Sequence, residues 1–94
     1  MICTFADIET ERVWNRDRSR KLPPDIQRAA LRKLRQLNRI MQPSDLRVPP
    51  SNRFEVLKGN RKETYSIRVN DQWRITFRGR DGGAHDVRIE DYHR

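Results

Sequence analysis

Hydrophobic positions along this chain change period once, and the change divides it into a helical half and a stranded half. In "PDIQRAALRKLRQLNRIM", Ile26, Ala30, Leu34, Leu37 and Met41 recur at spacings of four, four, three and four, which is one face of a helix. Pro24 and Asp25 suit its first turn. Upstream, "ADIETERVWNR" predicts a first helix with Asp7 as N-cap and Glu9 and Glu11 near its positive end. "ICTF" before it reads as a short strand, with Cys3 as a small core residue. Beyond the Pro-rich "PSDLRVPPSN" the period becomes two. Phe54 to Lys58 is a predicted strand ended at Gly59-Asn60, and Tyr65, Ile67 and Val69 then alternate with Ser66, Arg68 and Asn70. "NDQ" makes a tight turn, Trp73, Ile75 and Phe77 alternate with Arg74, Thr76 and Arg78, and "RDGG" signals a hairpin into a last strand carrying Val87 and Ile89.

A strand, two helices and an antiparallel meander predict an α+β fold in a single domain over residues 1–94. In this arrangement a short N-terminal strand precedes two helices that pack on the apolar face of an antiparallel β-sheet. Trp73 is expected in the core; Trp14 belongs there or to a partner contact.

Charge changes the picture. The net charge is +8, from 21 basic and 13 acidic residues, and Arg far outnumbers Lys. Guanidinium groups suit bidentate phosphate contacts, so the expected partner is a polyanion, either nucleic acid or an acidic protein. Arg28, Arg32, Arg35 and Arg39 form a stripe opposite the apolar helix face, which is either a rail for phosphates or a solvated surface. On the sheet, alternation puts Arg68, Arg74, Arg78 and Arg88 together on the face away from the helices. Like charges side by side in a sheet are mildly destabilising. Asp86 and Glu90 interleave there, so this face reads either as a phosphate-binding surface or as an ion-pair ladder. Asp91, Tyr92 and His93 leave the last strand at one end of it.

Cys3 is the only cysteine, and His85 and His93 have no ligand-like spacing with acids. No disulfide, metal site or cofactor is therefore expected. No stretch approaches the roughly 20 apolar residues of a membrane span, and no signal-peptide pattern is present, so the expected location is the cytoplasm.

Three stretches are more specific. "LKGNR" at Leu57–Arg61, "YSIRVNDQWRITF" at Tyr65–Phe77 and "EDYH" at Glu90–His93 resemble the HigB toxins of the RelE superfamily, the toxin halves of bacterial type II toxin–antitoxin pairs. The resemblance implies a microbial-ribonuclease-like domain that enters the A site of the 70S ribosome and cleaves mRNA. It also implies a HigA-like helix-turn-helix antitoxin as partner. Among site residues it implies Arg74, Asp91, Tyr92, His93 and Lys58 as functional. Arg61 joins the basic residues expected to bind RNA. Where some members carry a histidine two residues before "LKG", this chain has Glu55, and Glu63 stands where a glycine is frequent.

These side chains suit metal-free RNA cleavage, in which the substrate's own 2′-OH attacks the adjacent phosphate. Arg74 would stabilise the phosphoryl charge, with Lys58 as a second cation. His93 titrates near neutrality and can act as acid or base. Asp91 would orient it or serve as base, Glu55 would activate the 2′-OH if held in a dry pocket, and Tyr92 would stack on a nucleobase.

Overall fold

The computed structural model describes residues 1–57 and 63–91. Its elements are α1 (Ile8–Trp14), α2 (Pro24–Arg39), two 3₁₀ turns (Pro43–Arg47 and Pro50–Asn52), and strands β1 (Glu55–Val56), β2 (Thr64–Arg68), β3 (Trp73–Arg80) and β4 (Gly83–Asp91). The strands form an antiparallel sheet in the order β1-β2-β3-β4, with the helices on one side. The α+β expectation is met.

Asp7 caps α1 as expected, its Oδ1 accepting from the Thr10 N–H at 2.7 Å. Thr10 is fully buried and its own hydroxyl accepts from the Ile89 N–H at 2.9 Å, which ties the helix to β4. In α2 the predicted apolar face is the buried one: Ile26, Ala30, Leu34 and Leu37 all lie in the core, together with Ile67, Ile75, Phe77, Val87 and Ile89 from the sheet. Full burial of a Leu or Ile side chain contributes about 1.5–3 kcal/mol.

Met41 departs from the expectation. The helix stops at Arg39, Ile40 turns extended (φ −73°, ψ 153°), and Met41 is 85% exposed. Pro43 supplies the reason, since it forbids helical continuation and pushes the residue before it into extended backbone. Asp45 then closes the turn, its Oδ2 accepting from the Met41 N–H at 3.0 Å and the Gln42 N–H at 3.1 Å. These backbone donors, Gln42 first, hold the Asp45 carboxyl below the usual carboxylate range. A carboxyl depressed in the folded state contributes stability above its unfolded pKa and loses it as pH falls through the folded one. Asp45→Asn should therefore leave stability at neutral pH lower and flatten the acid limb below about pH 4, as measured by denaturant unfolding across pH.

The first segment also differs. "ICTF" makes only isolated parallel bridges to β4, Ile2 with Ala84 and Phe5 with Val87. The cause is a bulge in β4: Asp86 adopts φ 51° and its N–H is taken by the Thr4 hydroxyl at 2.9 Å. With the ladder interrupted, Ile2 and Phe5 turn toward the core, while Cys3 is exposed rather than buried. β1 is shorter than the expected Phe54 to Lys58, though the Leu57 N–H still donates to the Thr64 carbonyl at 2.8 Å.

The turns follow their residues. Asp81 and Gly82 join β3 to β4 with φ of 52° and 77°, the two positive values that a two-residue hairpin of this hand requires. Between β2 and β3, Asn70 Oδ1 accepts from the N–H groups of Gln72 and Trp73 at 2.9 and 2.7 Å, an Asx turn. Trp73 and Trp14 are both partly buried against the core, Trp14 with its ring 6.4 Å from that of Phe5.

Candidate active site

Strand register determines which side chains share the face away from the helices. Arg74 lies opposite Arg68 on β2 and Glu90 on β4, and Thr76 lies opposite Ser66 and Arg88. The predicted cluster therefore exists, but its centre is not open to solvent. Ser66 and Thr76 are buried, and Arg74 is only 8% exposed. The segment entering β1 folds across this face, led there by Arg53, whose backbone is left-handed (φ 44°).

The Arg74 guanidinium is held by the protein. Its Nε donates to the Ser66 hydroxyl; its Nη2 donates to the Arg53 carbonyl at 2.6 Å and to the Ser66 carbonyl at 3.2 Å. Glu55 Oε1 stands 3.7 Å from Nη2. A buried cation without such partners would be very costly. The Nε–Nη2 edge is thus committed to protein acceptors.

Glu55 faces Arg74 across Ser66, as the register of β1 and β2 requires. Its side chain is 53% exposed, so the dry pocket needed for it to act as a base is absent. Glu90 sits directly opposite Arg74 and accepts a hydrogen bond from the Thr76 hydroxyl. Asp91 is paired with Trp73, which places it on the helix side of the sheet; Gln72 Nε2 donates to its Oδ2 at 3.0 Å. The structure thus brings Arg74, Glu55 and Glu90 together and sets Asp91 at the strand end on the other face. Lys58, Arg61, Tyr92 and His93 lie outside the described residues.

The other three arginines predicted on this face have acid partners. Arg68 pairs with Asp71, Arg78 with Asp86 at 3.9 Å, and Arg88 with the α1 cap Asp7 at 3.6 Å. The hydrogen bond from Arg68 is the main reason that the Asp71 carboxyl lies below its usual range. Such exposed pairs add little to stability and are screened by salt. The ladder and the phosphate face are therefore compatible. Arg28, Arg32, Arg35 and Arg39 line the side of α2 turned away from its buried face, so they point away from the sheet and from Arg74.

Beside them, Lys33 reaches sideways to donate to Asn52 Oδ1. Desolvation, then Arg32 and Arg68, lower the Lys33 pKa. Asn52 is fully buried and its Nδ2 donates to the Leu46 carbonyl at 3.1 Å and to Gln36 Oε1 at 3.2 Å. This anchors to α2 the loop that delivers the Arg53 carbonyl. Ser66, Asn52 and Glu90 were not among the expected site residues. Alternation did put Ser66 and Glu90 on the right face, but nothing in the sequence paired them with Arg74.

His85 lies opposite Arg78, toward the hairpin end of the sheet. A cavity of about 210 Å³ opens at that end too, with Leu37, Ile40, Phe77 and Ala84 on its core side and Gln42, Arg80 and Asp81 at its polar edge. It lies on the other side of the sheet from Arg74. Among the described residues, no group of three His, Cys, Asp or Glu side chains could hold a metal ion, and no helix is long and apolar enough to cross a membrane.

Residues 3–93 match the family model described as the RelE-like toxin of type II toxin–antitoxin system HigB. Over 85 residues, 89% of this chain and 90% of its counterpart, the sequence is 46% identical to Toxin HigB-1 of Vibrio cholerae. A shorter stretch of 37 residues, covering 39% of this chain and 40% of the other, is 49% identical to Endoribonuclease HigB of Proteus vulgaris. In three dimensions the chain superposes on a chain of the YoeB-YefM complex from Staphylococcus aureus with a TM-score of 0.63, at 15% identity, covering 100% of this chain and 99% of that one. At that identity the likeness establishes the fold.

Proposed function

Because this chain belongs to the HigB-like toxins, the RelE-like toxins of type II toxin–antitoxin systems, we propose that it is a metal-independent endoribonuclease that cleaves mRNA in the ribosomal A site. The observation that carries this reading is the immobilised Arg74 guanidinium, set in a sheet face between Glu55 and Glu90 and flanked by Ser66 and Thr76. Burying a cation there gains nothing for folding that an apolar residue would not also supply. Aimed at a phosphate, it gains strength from its low-dielectric surroundings.

In the proposed reaction the 2′-oxygen of a nucleotide bonds to its own 3′-phosphorus as its proton leaves. The bond from phosphorus to the 5′-oxygen of the next nucleotide then breaks, and that oxygen takes up a proton. The products are a 2′,3′-cyclic phosphate and a free 5′-hydroxyl. Arg74, with Lys58, stabilises the added charge on the phosphoryl oxygens, so the reaction needs no metal. His93 handles a proton, Tyr92 stacks on a base, and Asp91, at the strand end just before them, orients His93. These roles for Lys58, Asp91, Tyr92 and His93 rest on the family resemblance.

In this proposal much of the in-line geometry falls to the ribosome, which holds the mRNA in place for attack. The α2 stripe and the exposed pairs of Arg68, Arg78 and Arg88, together with Arg61, give the electrostatic hold on the 70S particle and its mRNA. A HigA-like helix-turn-helix antitoxin neutralises the toxin in the cytoplasm.

The test maps cuts in a defined mRNA, free and on programmed ribosomes, with the protein as purified and with protein stripped by EDTA and desalted before it is added. Cuts confined to ribosome-bound mRNA and unchanged by stripping the protein are expected. Intact mRNA in both settings, with ribosome binding retained, would make this chain a non-catalytic binding module.

A further inference from the structure

Arg74 can serve a transition state only if its guanidinium plane is already oriented, and the Ser66 side chain supplies an acceptor to its Nε. We infer that Ser66 is a positioning residue for Arg74, an inference that rests on the proposed ribonuclease activity. Ser66 is fully buried in the middle of β2. It engages Arg74 twice: its hydroxyl accepts from Nε and its carbonyl accepts from Nη2 at 3.2 Å. A backbone carbonyl would be present whatever residue stood here. Only the hydroxyl depends on its being serine.

The geometry explains why the hydroxyl matters. Nε lies near the branch of the guanidinium, so a bond there fixes the rotation of the plane about the side chain's last torsions. The Arg53 carbonyl, 2.6 Å from Nη2, fixes the outer corner. Both acceptors are themselves held. Ser66 belongs to a central ladder, paired with Glu55 on one side and Thr76 on the other. The Arg53 carbonyl follows Asn52, whose side chain is anchored to the loop and to α2. Arg53 also adopts a left-handed backbone, an unfavourable conformation for a residue with a Cβ. The surrounding structure enforces it at the point where its carbonyl meets Arg74.

Serine suits the position for two reasons. It is small enough to lie flat beneath an arginine on a crowded face. Its hydroxyl has two acceptor lone pairs and rotates to suit the donor. Alanine would remove the Ser66 hydroxyl from the Nε–H of a buried cation and with it one of the restraints on the plane. A misplacement of about 1 Å in such a group is enough to lower a rate about a hundredfold.

The experiment compares wild type, Ser66→Ala, the near-isosteric Ser66→Cys and Arg74→Lys in single-turnover cleavage of mRNA on programmed ribosomes. Thermal melting and the ¹⁵N NMR signal of the Arg74 Nε–H accompany it. Ser66→Ala and Ser66→Cys are expected to reduce the cleavage rate about 10- to 100-fold, with half-saturation by ribosomes changed less than about twofold. The slowly exchanging Nε–H signal should weaken or vanish in both. If Ser66→Ala does not fold, Ser66→Cys carries the test, because it leaves little void. Wild-type rates in a folded Ser66 variant, or an unchanged Nε–H signal, would overturn the assignment. A rate deficit matched by an equal loss of ribosome binding would overturn it too. If Arg74→Lys cleaves like the wild type, the proposed role of Arg74 fails before the question of its positioning arises.

Discussion

Arg74→Ala is expected to lower cleavage of ribosome-bound mRNA by about a thousandfold, and Arg74→Lys to lower it nearly as far. Removing one preorganised donor to a developing anion typically reduces rate about 10²–10³-fold, and a guanidinium is both donor and charge. Lysine keeps the charge but is a point cation on a flexible stem. It cannot donate at once to the Ser66 hydroxyl and the Arg53 carbonyl while also facing a phosphate. The alanine variant should also lose some stability, because the Arg53 carbonyl loses its donor and a buried cavity opens beneath Glu55. An unmade buried hydrogen bond costs about 1–3 kcal/mol. Single-turnover cleavage beside a denaturation curve separates the two effects. The reading stands if Arg74→Lys melts close to wild type and does not cut, and falls if it cuts normally.

Phe77→Ala should disable the protein by another route. Phe77 is 1% exposed at the centre of β3 and packs against Tyr65, with ring centroids 5.5 Å apart. Opposite it, the β4 bulge at Asp86 disrupts regular pairing, so side-chain packing carries more of the local stability. Truncation of a buried phenylalanine costs about 3–5 kcal/mol. A domain of this size has about 5–15 kcal/mol in all. At about 4–8 °C per kcal/mol, Tm should fall by at least about 12 °C. Growth arrest on expression should weaken because folded toxin is scarce. Phe77→Leu, which preserves much of the volume, should cost far less. Circular dichroism distinguishes the cases: Arg74→Lys keeps the native spectrum and melt, whereas Phe77→Ala does not.

How much of this was readable beforehand depends on the distance over which the relevant forces act. The apolar face of α2 was legible because helical periodicity is local. Its end at Arg39 was not, since a single proline two residues beyond Met41 outweighed a periodic match. The hairpin at Asp81-Gly82 was legible because two positive φ values are a demand that few residue pairs meet. Cys3 is exposed where its place in an apolar run predicts burial, because a bulge in β4, more than 80 positions away in the chain, interrupts the pairing.

The candidate site divides in the same way. Alternation alone put Arg68, Arg74 and Arg88 on one face, because side-chain direction in a strand has period two. The family resemblance marked Arg74 before any coordinate did. Register, however, is a property of strand pairs. It set Glu90 rather than Asp91 opposite Arg74 and put the Ser66 hydroxyl against Nε. The loop through Asn52 then brought in the Arg53 carbonyl from outside the sheet ladder. Composition, periodicity and turn chemistry determined the class of fold and the polarity of each face, since these arise from interactions among near neighbours in the chain. Only the tertiary structure decided which arginine is immobilised and which sit in exposed pairs, because that depends on acceptors drawn together from separate segments.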